Sequence, residues 1–390
     1  MKFNTENNAL TVFLSGRIDS TNAEAKENEL NSIIAANNFE ELILDAEEVE
    51  YISSAGLRMV LRTRKNHPSL KIVNVSSDVY EIFDMTGFTE MLPVEKAYRK
   101  LSVDGCEVIG RGAKGKVYRY DSDTIIKVYF NSDSLPAIKR ERELARKAFV
   151  LGIPTAISYD VVKVGDSFGS VFELLDAKSY STLIAENPEK LDEYVALYAE
   201  LLKKIHSTAV KKGEMSDIKA LVYEWAEIAS PYLPENDAAK LKKLIADVPD
   251  TLNMLHCDYH TNNIMMQNGE TLLIDMDTLS QGHPVFELAN IYITYVGFGE
   301  EDPSIVESFM SLPYDITVEF WKKFLPVYLE TDDSAKISGV EDKVKLLSYT
   351  RLMRHIIRRG GADTEKGRKT IELCAENINK LLETVNTLEF

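Results

Sequence analysis

The stretch "HCDYHTNNIMMQNGETLLIDMD", His256 to Asp277, decides the fold. It opens on a histidine, places Asp258 two residues on and Asn263 five after that, and turns apolar at Ile264. The apolar run breaks at Asn268-Gly269, a dipeptide suited to a tight hairpin turn. A second β-rich run, "TLLIDMD", carries Asp275 at its end. The order is polar loop, strand, turn, strand, acid. Read alone, the loop is either a catalytic loop or a polar turn ahead of a strand.

A second constellation, upstream, bears on that choice. "GRGAKGKV" sets Gly110, Gly112 and Gly115 at G-x-G-x-x-G spacing. A dinucleotide-binding fingerprint with this spacing would open a helix. Here the β-rich "KVYRY" follows, and then a further strand carrying Lys127. Glycines let a backbone approach phosphates without a Cβ in the way. A glycine hairpin with a lysine on the next strand is the protein-kinase arrangement, in which the lysine holds the α- and β-phosphates. Such a lysine needs an acid to fix it. "ERELARKAFV" offers two, and Glu143 is favoured over Glu141 as the partner of Lys127. Both also suit the first turn of a helix, where negative charge favours the macrodipole.

With that frame, His256, Asp258 and Asn263 match H-x-D-x-x-x-x-N, the kinase catalytic loop. The segment "HCDYHTNNIMMQNGETLLIDMDTLSQGHPVFELAN" resembles the aminoglycoside phosphotransferase and choline kinase branch of kinase-like folds. That branch carries H-x-D-x-H-x-x-N and then I-D-x-[DE]. The resemblance spans about residues 104–390. It implies a bilobal α+β fold, β-rich to about 175 and mostly helical from about 176. By the same likeness Asp258 takes the proton of an acceptor hydroxyl, and Asn263 and Asp275 hold Mg²⁺ between the phosphates of ATP. Glu173 and Leu175 of "FELL" would offer backbone groups to adenine. His256 and His260 would support the loop, and Asp277 would either assist the metal or brace the loop. Cys257 stands where the family usually has glycine.

The first hundred residues read differently. Short β-rich runs at 11–16, 41–46 and 71–76 alternate with helical patterns at 21–38, from about Ala55, and at about 78–86, which indicates an α/β sheet with helical cover. "LSGRIDSTNA", "LDAEEVEYISSAGLR" and "DVYEIFDMTGF" resemble the STAS domain of bacterial anti-sigma-factor antagonists, over about residues 1–98. In that family a kinase phosphorylates a serine at a strand-to-helix turn, and the matching position is Ser54. Ser53 precedes it where the family often has an acid, and a serine there also suits a helix N-cap. The polar "RKLSVDG" marks the joint at 98–104.

Composition narrows the function. The chain has 390 residues and a net charge of −17, the wrong sign for non-specific nucleic-acid binding. It suits a cationic small molecule, or solubility alone. The three cysteines lie far apart, in neither metal-ligand nor disulfide spacing, and fit a reducing cytosol. No apolar run reaches the length of a membrane span. "RLMRHIIRR", Arg351 to Arg359, is a basic run in an acidic chain, suited to a solvated helix face or to an anionic ligand.

These features predict a STAS-like module, with a protein partner in prospect, joined to a cytoplasmic phosphotransferase. It would move the γ-phosphoryl of Mg·ATP to a hydroxyl of a small molecule. Two rivals are a regulatory protein kinase acting on Ser54 or on a partner STAS domain, and a nucleotide-sensing module without turnover.

Overall fold

Residues 1–112 and 114–390 are described here from a computed structural model. The chain forms two compact units, one of Met1–Ser102 with Val161–Asp166, the other of Val103–Asp160 with Ser167–Phe390.

The first unit is an α/β sheet. Strands β1 (Lys2–Glu6) and β2 (Ala9–Ile18) form an antiparallel hairpin, and helix α1 (Ala23–Ala36) carries the chain to β3 (Glu41–Ile52). Helix α2 (Ser54–Asn66) leads to β4 (Lys71–Val75), and helices α3 (Ser77–Met85) and α4 (Phe88–Met91) lead to β5 (Val94–Lys96). The spatial order is β1-β2-β3-β4-β5, parallel from β2 onward. Its core joins Leu10, Val12, Leu42, Leu44 and Ile72 of the sheet to Leu30, Met59 and Val60 of the helices. The alternating burial of β2 reflects its one covered face. β1 is exposed along its whole length and β5 is three residues long, so neither carries the alternation that marks the inner strands. A further strand, β6 (Arg99–Leu101), runs parallel to Val162–Val164 within this unit.

The second unit begins with the antiparallel strands β7 (Glu107–Arg111), β8 (Gly115–Arg119) and β9 (Thr124–Tyr129), then helix α5 (Leu135–Val150). Past β10 (Asp160–Val164), which lies in the first unit from Val161 on, strand β11 (Ser167–Glu173) pairs with β9. The chain then becomes helical: β12 (Lys178–Ser179), α6 (Tyr180–Glu186), α7 (Leu191–Ser207), β13 (Ser216–Asp217), α8 (Ile218–Ala229) and α9 (Glu235–Asp247). The hairpin expected after the polar loop is present. Following β14 (Met254–Leu255), strands β15 (Ile264–Gln267) and β16 (Glu270–Leu273) pair across Asn268-Gly269, both of which have positive φ. Then come β17 (Ser280–Gln281), α10 (Val285–Tyr295), α11 (Pro303–Met310), α12 (Tyr314–Leu329), α13 (Ser334–Arg358) and α14 (Glu365–Thr384). Helix α10 is buried on nearly every side, as its continuous apolar sequence requires, and it lies under the polar loop.

The architecture is thus an α/β sheet domain followed by a kinase-like fold with a β-rich lobe and a helical lobe. Among the described residues, no helix is long and apolar enough to cross a membrane.

Candidate active site

The glycine hairpin lies between β7 and β8, where the Gly112 amide donates to the Gly115 carbonyl at 3.0 Å. The three glycines have different jobs. A Cβ on Gly115 would lie 2.3 Å from the Val128 carbonyl oxygen, so β8 and β9 pair only because that Cβ is missing. A Cβ on Gly110 would make ordinary contact with Val117 at 3.4 Å, and one on Gly112 would meet nothing within 4 Å. Gly112 is therefore free to serve approach from the cleft rather than packing.

Lys127 lies on β9 opposite Val117 and Ser170 of its two neighbouring strands. Its Nζ is 3.1 Å from Glu141 Oε1 and 3.3 Å from Asp275 Oδ1. Burial works against its charge, but Glu141 and Asp275 outweigh burial and raise the ammonium pKa. The acid that fixes it is Glu141, not Glu143. On α5 the buried residues Ile138, Glu141, Leu144, Ala145 and Ala148 recur at spacings of three and four, so Glu141 belongs to the inward stripe. Two residues on, Glu143 is turned roughly 200° around the helix and pairs with Lys147 in the surface at 2.8 Å. The helical period of the apolar residues was the signal that separates the two acids. Tyr129, which the sequence reading did not single out, donates to Glu141 Oε2 at 2.9 Å and orients it.

The loop of His256 to Asn263 is held from below by Glu287 of α10. This carboxylate is fully buried and accepts from the amides of His256 at 2.9 Å and Cys257 at 2.7 Å. His206 Nε2 meets it at 2.8 Å, and His206 Nδ1 meets the Tyr328 hydroxyl at 2.7 Å. Cys257 has φ 65°, a left-handed backbone that explains why glycine suits the position. Burial pushes its thiol pKa well up, so it is inert. The Glu287 brace was not legible in sequence, because a single acid in an apolar helix names no partner.

Asp258 is half-exposed at the cleft. Burial opposes its ionisation, but a hydrogen bond from His260 and the charges of His260, His256 and Arg351 prevail and hold the carboxyl at about 2. His260 Nε2 lies 3.6 Å from Asp258 Oδ1. Asn263 Nδ2 donates to the Asp258 carbonyl at 3.0 Å, which leaves Oδ1 as the amide atom able to meet a cation. His256 is wholly buried behind the loop, and that burial lowers its pKa. Asp275, just past β16, has φ 62°. Carboxylate oxygens of Glu141, Asp275 and Asp277 all lie within 4.8 Å of one another, and Asp277 also pairs with Lys114.

One cleft of about 750 Å³ gathers these groups. Gly110, Gly112, Gly115, Lys127, Glu141, Glu173, Leu175, Asp258, His260, Asn263, Asp275 and Asp277 line it. Val117, Ile125, Phe172 and Ile274 add apolar surface to its lining, and between the lining residues Glu173 and Leu175 the Leu174 amide donates to the Asp123 carbonyl at 2.8 Å. Glu143 and His256 are outside this lining, and Ser54 belongs to the other unit.

Residues 105–312 match the family model for the phosphotransferase enzyme family. The chain belongs to that family. Residues 1–101 match the STAS domain model. This phosphotransferase is also 35% identical over 89 residues to the "Putative anti-sigma factor antagonist BtrV" of Bordetella bronchiseptica, covering 22% of this chain and 76% of that protein. Similar solved structures include the gentamicin complex of APH(2")-IIa, 15% identical with a TM-score of 0.47, covering 80% of this chain and 98% of that one. A choline/ethanolamine kinase family protein from Mesorhizobium loti is 13% identical with a TM-score of 0.47, covering 72% and 88%.

At Ser54 the phosphotransferase has a defined local geometry. Ser53 is the N-cap of α2, its hydroxyl accepting from the Ala55 amide at 3.2 Å, while Ser54 is the first helical residue and is exposed. The capping role falls to Ser53 and leaves the Ser54 hydroxyl outside it.

Proposed function

We propose that the second unit transfers the γ-phosphoryl group of ATP to a hydroxyl of a small molecule. The observation that carries this reading is the meeting of Lys127, Asp258, Asn263 and Asp275, from three separated segments, in one cleft. Lys127, set by Glu141, would hold the α- and β-phosphates. The apolar side chains in the lining suit a flat base, which backbone groups of Glu173 and Leu175 would meet.

The donor set fits Mg²⁺. Asn263 and Asp275 offer hard oxygen ligands, with Asp277 close by, and a small divalent cation favours such oxygens together with phosphate. When bound, the ion would offset charge on the phosphates. Asp258 is ionised well below neutral pH and so is ready to accept a proton. The acceptor oxygen forms a bond to the γ-phosphorus as its proton passes to Asp258. The bond between that phosphorus and the bridging oxygen breaks, and its electron pair leaves with ADP. Positioning and electrostatics carry the rate, with no covalent enzyme intermediate.

The STAS module would regulate or localise the enzyme through a protein partner. A second reading has a specific observation behind it: the exposed Ser54 hydroxyl at the start of α2. A phosphate there would add about −1.5 to −2 charge at a helix N-terminus. Intact-mass measurement after incubation with Mg·ATP separates the two. The small-molecule reading expects no added phosphate, with ADP released only when an acceptor is supplied. A single added phosphate that disappears in Ser54→Ala supports the switch reading.

A further inference from the structure

The glycine-rich turn between β7 and β8 carries a lysine of its own, Lys114. Backbone hydrogen bonds fix the turn around it. The Phe130 amide donates to the Lys114 carbonyl at 2.9 Å, and the Gly112 amide donates to the Gly115 carbonyl at 3.0 Å. In the adjoining ladder Gly115 stands opposite Tyr129 and Val117 opposite Lys127, so one pairing of β8 with β9 sets the backbone of both lysines.

A lysine on an exposed turn ordinarily extends into water. Lys114 instead joins the lining of the cleft that holds Lys127, Asp258, Asn263 and Asp275. Its ammonium pairs with Asp277, whose side chain is only 16% exposed. Carboxylate oxygens of Asp277, Asp275 and Glu141 lie within 4.8 Å of one another. Lys127 meets Glu141 and Asp275, and Lys114 meets Asp277, so two ammonium groups face three carboxylates at one place. The Lys114 side chain is 58% exposed, and an ion pair so open to water adds little to stability. The pair is a weak brace. What it records is reach: the ammonium gets to the acids beside which the phosphates would lie.

We propose that Lys114 is a further phosphate-binding residue, which meets the γ-phosphoryl of ATP. This rests on the phosphotransferase reading and adds a residue to it. Lys127 is placed for the α- and β-phosphates. The γ-phosphoryl is then the one phosphate with no protein cation assigned to it, and its oxygens carry the charge that moves in the transfer. A divalent ion shared between Asp275, Asp277 and phosphate would draw on the carboxylate that Lys114 holds. Lys114 would exchange one anion for another, Asp277 for a non-bridging oxygen of the γ-phosphoryl, and its flexible stem allows the swing. It acts by charge and by hydrogen bonds, with no proton transferred.

Calorimetry on the full chain tests this with two probes, Mg·ADP and Mg·AMP-PNP, the second retaining a γ-phosphoryl that is not transferred. Lys114→Met should weaken Mg·AMP-PNP by about tenfold or more, the scale of one charge-assisted hydrogen bond, and leave Mg·ADP within about twofold. Lys114→Arg keeps the charge and should retain most of the Mg·AMP-PNP affinity. Equal losses for the two nucleotides would take Lys114 off the γ-phosphoryl and overturn the proposal. Unchanged binding, as an idle surface pair with Asp277 would give, overturns it too. So does tighter binding, as a latch that merely blocks the acids would give. In all three of these results the parent chain still binds nucleotide and the phosphotransferase reading stands. A parent chain that binds neither nucleotide would overturn that reading and this proposal with it.

Discussion

Lys127 Nζ stands 3.3 Å from Asp275 Oδ1, although 148 residues separate the two in the chain. The contact joins the β-rich lobe to the end of the β15–β16 hairpin. It sets the lysine proposed to hold phosphates beside the acid proposed to hold the metal. Glu141 meets the same ammonium at 3.1 Å, so Lys127 stands within reach of two neighbouring acids.

The two acids on α5 are separable by mutation. Glu141→Gln should weaken Mg·ATP binding by about tenfold or more, the scale of a lost charge-assisted hydrogen bond. Lys127→Ala should do the same. Glu143→Gln loses only an exposed pair with Lys147 and should leave the affinity within about twofold. Calorimetry with Mg·ATP checks all three. Equal effects from the two glutamine variants would remove Glu141 from its role.

Gly115→Ala should destabilise the second unit by about 1–3 kcal/mol, because the new methyl lands against the Val128 carbonyl and the two strands must part. Gly112→Ala meets nothing and should leave stability unchanged while weakening nucleotide binding. Thermal melts of the two variants, compared with their nucleotide affinities, test this division of labour.

Glu287→Gln keeps the shape of the brace but puts an amide NH₂ where an N–H of the loop or of His206 now donates. The unfolding free energy should fall by about 1–3 kcal/mol. Turnover should fall further than nucleotide affinity, because the residue positions Asp258 and touches no ligand. A loss of ATP affinity with kcat intact would contradict that role.

The stability of the second unit should decline as pH falls from about 6.5 toward 4. His355 is held at about 4 by its burial and then by the charges of Arg359, Arg351 and Arg354. Burial likewise lowers His256 and His283. In this window the unfolded chain binds protons that the folded chain refuses, so acid favours unfolding. Both tryptophans of the chain, Trp225 and Trp321, are buried in this unit and report on it alone. Their fluorescence melts should show a shallower pH slope in His355→Gln.

The fold was legible because its decisive signals are local. A loop of short polar residues, a hairpin dipeptide and a glycine-rich turn each specify backbone geometry within a few residues. The STAS motifs and the alternation of strand and helix worked the same way. What escaped the sequence was tertiary. Choosing Glu141 over Glu143 required the helical phase of α5, which its apolar residues did contain. Glu287 gains its meaning only from the two loop amides above it, thirty residues away. The edge strands β1 and β5 lack a buried face to mark them, and Arg351 differs from Arg359 only in what lies next to it.

The most direct test of the account is Asp258→Asn in a steady-state assay of acceptor-dependent ADP release, with Mg·ATP affinity measured on the same sample. The amide keeps the shape of the side chain but accepts no proton, so turnover should fall by about 10²–10⁴-fold while affinity holds. In the parent chain the rate should show no acid limb from this group above about pH 4, because Asp258 stays ionised down to about 2. A fully active Asp258→Asn protein would contradict the account.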